Sequence, residues 1–190
     1  MTIRTEDVVR YLRMGGAGPD PALTERILAL RELATTAIRP AHTWRRFTLL
    51  KDGIVSGGQT LPTAGTLSAH LSGCRETCLV CGTLGVGFDA FLRKVSATSG
   101  ADALIVQAIG TAAIEQLMDS VENEIMAELS NGESLTSRYS PGYGDFPLSA
   151  QRTILTLLDA ARKVGVSLTD TMLMVPSKSV SAVIGVRSPQ

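Results

Sequence analysis

The sequence predicts an α+β fold with a largely antiparallel sheet, and three observations carry that expectation. Helical and strand-like stretches are mixed without a regular β-α-β rhythm, and the helical ones cluster in groups between strands. No internal repeat, low-complexity tract or long linker divides the chain. With 190 residues it has enough bulk to bury a substantial core as a single domain, spanning residues 1–190. Only 4% of the residues are aromatic, so that core must be built largely from Ala, Leu, Ile and Val.

Taken in order, Val8, Val9 and Leu12 recur at helical spacing over residues 5–13, and Gly15, Gly16 and Gly18 end the segment. Residues 19–38 read as a second helix, with Asp20 placed to cap it, Pro21 in its first turn and Pro40 as its stop. Leu23, Ile27, Leu28, Leu30 and Leu33 are expected down one side of it. Residues 44–50 read as a strand that turns through Asp52-Gly53 into a short partner at 54–55, a hairpin. A short helix over 67–71 stops at Gly73, and 78–84 is a buried apolar strand ending at Gly85. Residues 88–95 form a helix with Asp89 near its start. The longest helix covers 101–129, with a stripe of Leu104, Ile105, Ala108, Ala112, Leu117, Val121 and Ile125, a candidate kink or break at Gly110, and Asn131-Gly132 as its stop. A helix over 149–164 closed by Gly165 and strands over 171–175 and 180–186 complete the set.

Eighteen basic residues balance eighteen acidic ones, so nothing global points to nucleic acid. No apolar run is long enough to cross a bilayer, and the amino terminus lacks a charged segment followed by an apolar one. A soluble, cytoplasmic protein is expected.

The stretch Arg138-Tyr-Ser-Pro-Gly-Tyr-Gly-Asp-Phe-Pro147 stands apart from this background. Its glycines and prolines are too turn-prone for helix or regular strand, which makes it a shaped loop. Gly142 and Gly144 permit positive φ and close approach of a ligand to the backbone, while Pro141 and Pro147 fix it. Arg138 offers a planar fork of donors for a carboxylate, and Tyr143 a ring with a hydroxyl. The plain alternative is a surface turn with a stray arginine. Glu115 falls among Ala112, Ala113, Ile114 and Leu117, which places a carboxylate at the apolar boundary of the long helix. There it is either a solvated face residue or a partner for a cationic ligand group.

Other candidates are weaker. Cys74, Cys78 and Cys81 have the spacing by which some enzymes hold an iron-sulfur cluster, but Cys78-Leu-Val-Cys81 reads as buried strand, where cysteine behaves as a small hydrophobe. His42 and His70 lack partners at metal-ligand spacing, and Ser140 and Ser179 lack a nucleophile-elbow pattern. The Gly82-Thr-Leu-Gly85-Val-Gly87 run has no following Lys-Ser or Lys-Thr, so its glycines read as strand-end punctuation.

Arg138-Tyr-Ser-Pro-Gly142-Tyr143 resembles the Arg-x-x-x-Gly-Tyr signature of the S-adenosylmethionine-binding reactivation domain of cobalamin-dependent methionine synthase. Downstream, a helix, then Gly165-Val-Ser-Leu-Thr-Asp-Thr-Met, then Pro176-Ser-Lys-Ser-Val-Ser-Ala-Val-Ile-Gly185, is similar to that family in order and spacing. Upstream, Thr83-Leu-Gly85 and the helix carrying Glu115 also fit, so the resemblance covers roughly residues 67–186 as a binding core. Residues 1–60, a helical part and a hairpin, resemble stand-alone versions.

The resemblance implies a C-shaped domain with a mostly antiparallel twisted sheet that binds S-adenosylmethionine. Arg138 would then hold the methionine carboxylate, the backbone at Ser140 and Gly142 would line the pocket, Tyr143 would lie beside the sulfonium, and Glu115 would meet the amino group. It also implies a role in repair, in which methylation restores an oxidised cobalamin after one-electron reduction, usually by flavodoxin. No Asp-x-His-x-x-Gly cobalamin-ligand motif is present. The implied role is therefore that of a separate activation subunit, not catalytic alone, that meets cobalamin only through a partner, a methionine synthase or another corrinoid protein. The alternatives are an iron-sulfur redox activator using Cys74, Cys78 and Cys81, or a scaffold that has lost its ligand.

Overall fold

The computed structural model describes residues 2–12, 18–51 and 53–188. Gly15, Gly16 and Asp52, to which the sequence assigned turns, lie outside the described residues. Among those described, seven helices surround a four-stranded sheet, and every strand pair is antiparallel. Its strands run in the order β1 (Ala41–Thr48), β4 (Cys74–Thr83), β8 (Ser179–Arg187) and β5 (Ser134–Leu135). Two small hairpins, β2 (Ile54–Ser56) with β3 (Gln59–Leu61) and β6 (Ser167–Leu168) with β7 (Met174–Val175), sit outside it.

Period-two alternation divides the sheet between two covers. Cys78, Val80, Ala182 and Ile184 face the long helix α5 (Gly100–Ala127) and pack on its Met118, Val121 and Ile125. Leu79, Cys81 and Val183 face the other way, onto Ala150, Ile154 and Leu158 of α6 (Ala150–Leu158) and Leu67 of α3 (Gly65–His70). Because both faces are covered, residues 78–83 are buried without interruption. The half of α5 nearer its start is wrapped in turn by α1 (Thr5–Tyr11), α2 (Pro21–Ala37) and α4 (Val86–Ser96). That explains why α5 is buried on several sides, with Ile105, Ile109, Ala113 and Leu117 all enclosed.

Two helix starts, those of α2 and α5, carry an N-cap side-chain hydrogen bond. Asp20 accepts a hydrogen bond from the Leu23 amide at 2.7 Å, with Pro21 at the first position, as predicted. Ser99 caps α5 by accepting from the Asp102 amide at 3.2 Å. Gly110 does not break α5; it lets the Phe88 ring of α4 press on the helix, where an added Cβ would lie 2.4 Å from Cζ.

Several expectations need correction. The buried stripe of α2 is Ile27, Leu30 and Ala34; Leu28 and Leu33 sit about one residue's rotation off it and are exposed, as is Leu104 on α5. The hairpin partner of β2 is β3 rather than β1, because Gly57 and Gly58 supply the two positive φ angles of a two-residue turn, leaving β1 to pair along β4. The helix predicted over 149–164 is two, α6 and α7 (Ala160–Val164), divided at Asp159, which takes a left-handed conformation with φ 53°. The strand predicted over 171–175 shrinks to β7, since Thr169 and Leu173 close a tight turn through backbone and hydroxyl hydrogen bonds. Among the described residues no helix is long and apolar enough to cross a membrane.

Candidate functional site

The 138–147 loop is an extension of the sheet edge before it becomes a turn. Beyond β5 the chain keeps following β8: the Thr136 amide donates to the Gly185 carbonyl at 2.9 Å, and Tyr139 and Val183 exchange amide-to-carbonyl hydrogen bonds at 2.9 Å. Extended backbone sends neighbouring side chains to opposite sides. Arg138 therefore reaches toward α5, and Tyr139 toward α3 and α6. The chain then folds on itself, with the Gly142 amide donating to the Phe146 carbonyl at 2.8 Å and Gly142 at φ 96°. Buried Pro141 and Phe146 anchor the two limbs of this turn.

On the α5 side, the Arg138 guanidinium meets Glu115 at 2.8 Å, Asp119 at 3.0 Å and Glu122 at 3.0 Å. Their spacing of four and then three residues puts all three carboxylates on one face of the helix. One cation among three anions leaves a formal surplus of two negative charges. Burial works against the charged guanidinium, but Glu122, Asp119 and Glu115 together outweigh it and hold its pKa above the ordinary arginine value. Burial pushes the Glu122 carboxyl up, an effect that Arg138 opposes and Asp119 and Glu115 reinforce.

The sequence thus picked out two groups that the fold brings into direct contact, Arg138 and Glu115. Ser140 is half-buried, its carbonyl accepting from the Tyr143 amide at 3.2 Å. Tyr143 projects from the turn with 66% of its surface exposed, its ring centred 6.3 Å from that of Tyr139. Asp119 and Glu122 were missed, although their spacing from Glu115 was readable as one helix face.

The α3 side is built differently. The Tyr139 hydroxyl donates to Thr66 Oγ1 at 2.7 Å, and the Thr66 hydroxyl donates in turn to Asp145 through a short hydrogen bond. Asp145 Oδ1 also accepts from the Thr66 amide at 2.9 Å, so a loop residue caps α3 from 79 positions away. The Thr66 side chain and amide hold the Asp145 carboxyl below the usual aspartate range. His70 lies 4.8 Å from the Tyr139 ring and donates from Nε2 to the Ser137 carbonyl at 2.8 Å. Nothing in the sequence spacing signalled this network.

Two clefts flank the loop. One, of about 670 Å³, is lined by Glu122 and Met126 of α5 and by Gly132, Glu133, Thr136 and Ser137. The other, of about 400 Å³, is lined by Leu61, Pro62, Asp145, Phe146, Pro147 and Ala150. Both are within the range of small-molecule sites.

A cluster held jointly by Cys74, Cys78 and Cys81 is contradicted by the register of β4. Cys78 packs against Met118 and Val121 on the α5 face, and Cys81 against Leu79 and Ile154 on the opposite face. Thiolates on opposite sides of a sheet cannot converge on one iron-sulfur centre. Burial pushes the Cys78 thiol up to about 11 and the Cys81 thiol up to about 12, which suits buried apolar residues and not ligands.

Residues 112–189 match the family described as vitamin B12 dependent methionine synthase, activation domain. Glu115, Asp119, Glu122, Arg138 and Tyr143 all fall within the matched stretch. In fold the chain is similar to the crystal structure of the MetH reactivation domain bound to AdoHcy, with a TM-score of 0.58 and 18% sequence identity over 95% of this chain and 74% of that one. Among curated proteins, none matches the chain. The α+β architecture of that reactivation domain is the architecture found here, and the resemblance drawn from the loop and the residues downstream of it holds.

Proposed function

We propose that this protein binds S-adenosylmethionine at the Arg138–Glu115 face and supports the reductive methylation of cobalamin carried by a methionine synthase or another corrinoid protein. The observation that carries this reading is the pairing of Arg138 with Glu115, 2.8 Å apart in one salt bridge. Each of the two is complementary to one end of an α-amino acid: a guanidinium fork to the carboxylate, a carboxylate to the ammonium. A zwitterion can enter by exchanging partners, giving Arg138 a new carboxylate and Glu115 a new cation.

The same loop carries groups that suit the rest of that ligand. Tyr143, whose ring neighbours that of Tyr139, presents an exposed aromatic face, to which a sulfonium is attracted. At Gly142 an added Cβ would meet only Leu148 Cδ1, at 3.6 Å, so the backbone there is open to close approach. The similar MetH reactivation domain was solved with AdoHcy, the demethylated form of the proposed methyl donor. Cobalamin, supplied by the partner, takes the methyl group after one-electron reduction, for which a flavodoxin-type donor is proposed. This chain's own residues bind and orient the donor: Arg138 and Glu115 fix its amino-acid end, and Tyr143 flanks the sulfur. The reaction belongs to the cytoplasm, where the reduced donor and the partner are available.

The test mixes the protein with a cobalamin-loaded methionine synthase that lacks its own activation domain, a reductant and S-adenosylmethionine, and follows methylcobalamin by its visible spectrum. The wild type is expected to restore methylcobalamin, and Arg138→Ala to lose that ability. Restoration at the same rate by the variant, or none by the wild type, would sink the proposal.

A further inference from the structure

Arg138 does not need three carboxylates to be neutralised, and the surplus on α5 calls for a function of its own. Glu115, Asp119 and Glu122 lie within 3.0 Å of one guanidinium, giving the face a formal charge of −2. We infer that Asp119 and Glu122 set ligand specificity at this face, favouring the cationic methyl donor over the neutral thioether that remains when its methyl group has left. The inference rests on the reading of the Arg138 face as the site of S-adenosylmethionine.

The two ligands share a carboxylate, an amino group and an adenosine, and differ by one positive charge at sulfur. Sulfur stands only two methylenes from the α-carbon, so it lies inside the screening length of about 8–10 Å from any carboxylate gathered at the amino-acid end. When the zwitterion exchanges partners, Glu115 answers the ligand's ammonium and Arg138 its carboxylate. Asp119 and Glu122 are then left without a counter-ion of their own, and the sulfonium is the remaining cation of the ligand. With an effective dielectric between about 20 and 80 and a separation of about 6–8 Å, one such carboxylate–sulfonium interaction is worth roughly twofold to a hundredfold in Kd before screening, and on the order of fivefold to tenfold on a face that solvent partly reaches. Glu122 is the less solvated of the pair, at 27% side-chain exposure against 66% for Asp119, and so is screened less. Methyl transfer cancels the sulfonium charge, because the C–S bonding pair stays on sulfur. The same residues that favour the donor therefore favour release of the product.

A purely structural role for Glu122, bracing Arg138, would weaken both ligands equally, since both present the same carboxylate to that arginine. The ratio of their affinities removes this contribution. Isothermal titration of S-adenosylmethionine and S-adenosylhomocysteine is expected to give tighter binding of the former by wild type, with a preference that shrinks as salt rises from about 20 mM to about 500 mM. Glu122→Gln should cut the preference, read as the ratio of the two affinities, roughly fivefold to tenfold and Asp119→Asn roughly twofold. Circular dichroism melts check that each variant is folded, and the salt series in wild type needs no variant. Equal loss for both ligands in Glu122→Gln, or a wild-type preference that ignores salt, overturns the inference while leaving the site reading intact. Failure of wild type to bind either ligand overturns the site reading, and this inference with it.

Discussion

On its α5 side the loop presents Arg138 to three carboxylates, two of them with 40% or more of their side chains in solvent. On its α3 side Tyr139, Thr66 and Asp145 are joined by hydroxyl and amide hydrogen bonds, with no basic side chain among them. Solvent-reached ion pairs are individually weak and can change partners at small cost. Hydrogen bonds that also cap a helix and seat a packed aromatic residue are set by the backbone, and they change only if the fold changes. One side of the loop is thus held by the fold while the other can change partners, as the proposed binding of a zwitterion requires.

The fixed side can be broken most severely at Gly65. This residue has φ 56°, and a Cβ placed there would fall 1.8 Å from Asp145 Oδ2. Gly65→Ala must therefore take on left-handed strain and expel the capping carboxylate together. A loss of about 2–4 kcal/mol in unfolding free energy is expected by chemical denaturation, with ligand affinity falling alongside it. Loss confined to affinity would show that the α3 side is itself part of the ligand contact.

A gentler break is Thr66→Val, which keeps the shape of the side chain and removes the hydroxyl shared by Tyr139 and Asp145. The melting temperature should fall by roughly 4–8 °C, the shift that losing about two hydrogen bonds makes in a chain of this length. Its pH dependence sharpens the assignment. Asp145 has its folded pKa depressed, so its contribution is fully present above the ordinary aspartate value of 3.8 and is lost as pH falls through the folded value. The gap between wild type and Thr66→Val should accordingly be constant near neutral pH and close on acidification below that value. A gap that widened in acid would contradict the carboxylate's role.

The smallest effect concerns the sheet that carries both sides. Cys78 and Cys81 are wholly buried, with thiols raised to about 11 and about 12, whereas Cys74 is partly accessible. A thiol reagent at about pH 8 should label Cys74 first and the other two only on unfolding. Rapid labelling of all three would mean that β4 opens, and with it the frame of the loop.

Much of this was legible in the sequence where the signal is local. Asp20-Pro21 announced the start of α2, the apolar run of 78–84 announced the central strand, and the glycines and prolines after Arg138 announced a shaped turn. Arg138 and Glu115 were legible as a pair only through the family resemblance, since 23 positions separate them and nothing in the intervening residues records that β8 brings them together. The Thr66–Asp145 contact, 79 positions apart, left no trace, because a cap supplied by a distant loop obeys none of the short-range rules that reveal a cap in sequence. The division at Asp159 was misread for a related reason, since a single left-handed residue is decided by tertiary contacts that override local preference, whereas the hairpin was misread although its signal, Gly57-Gly58, is local.

Arg138 as the anchor of a charged methyl donor can be tested without any partner protein, by titration calorimetry of S-adenosylmethionine into wild type and into Arg138→Ala at matched pH and salt. Saturable binding by wild type and a loss of about a hundredfold in the variant are predicted, as expected for removal of a charge-assisted, forked contact. Equal affinity in the two proteins would contradict that role.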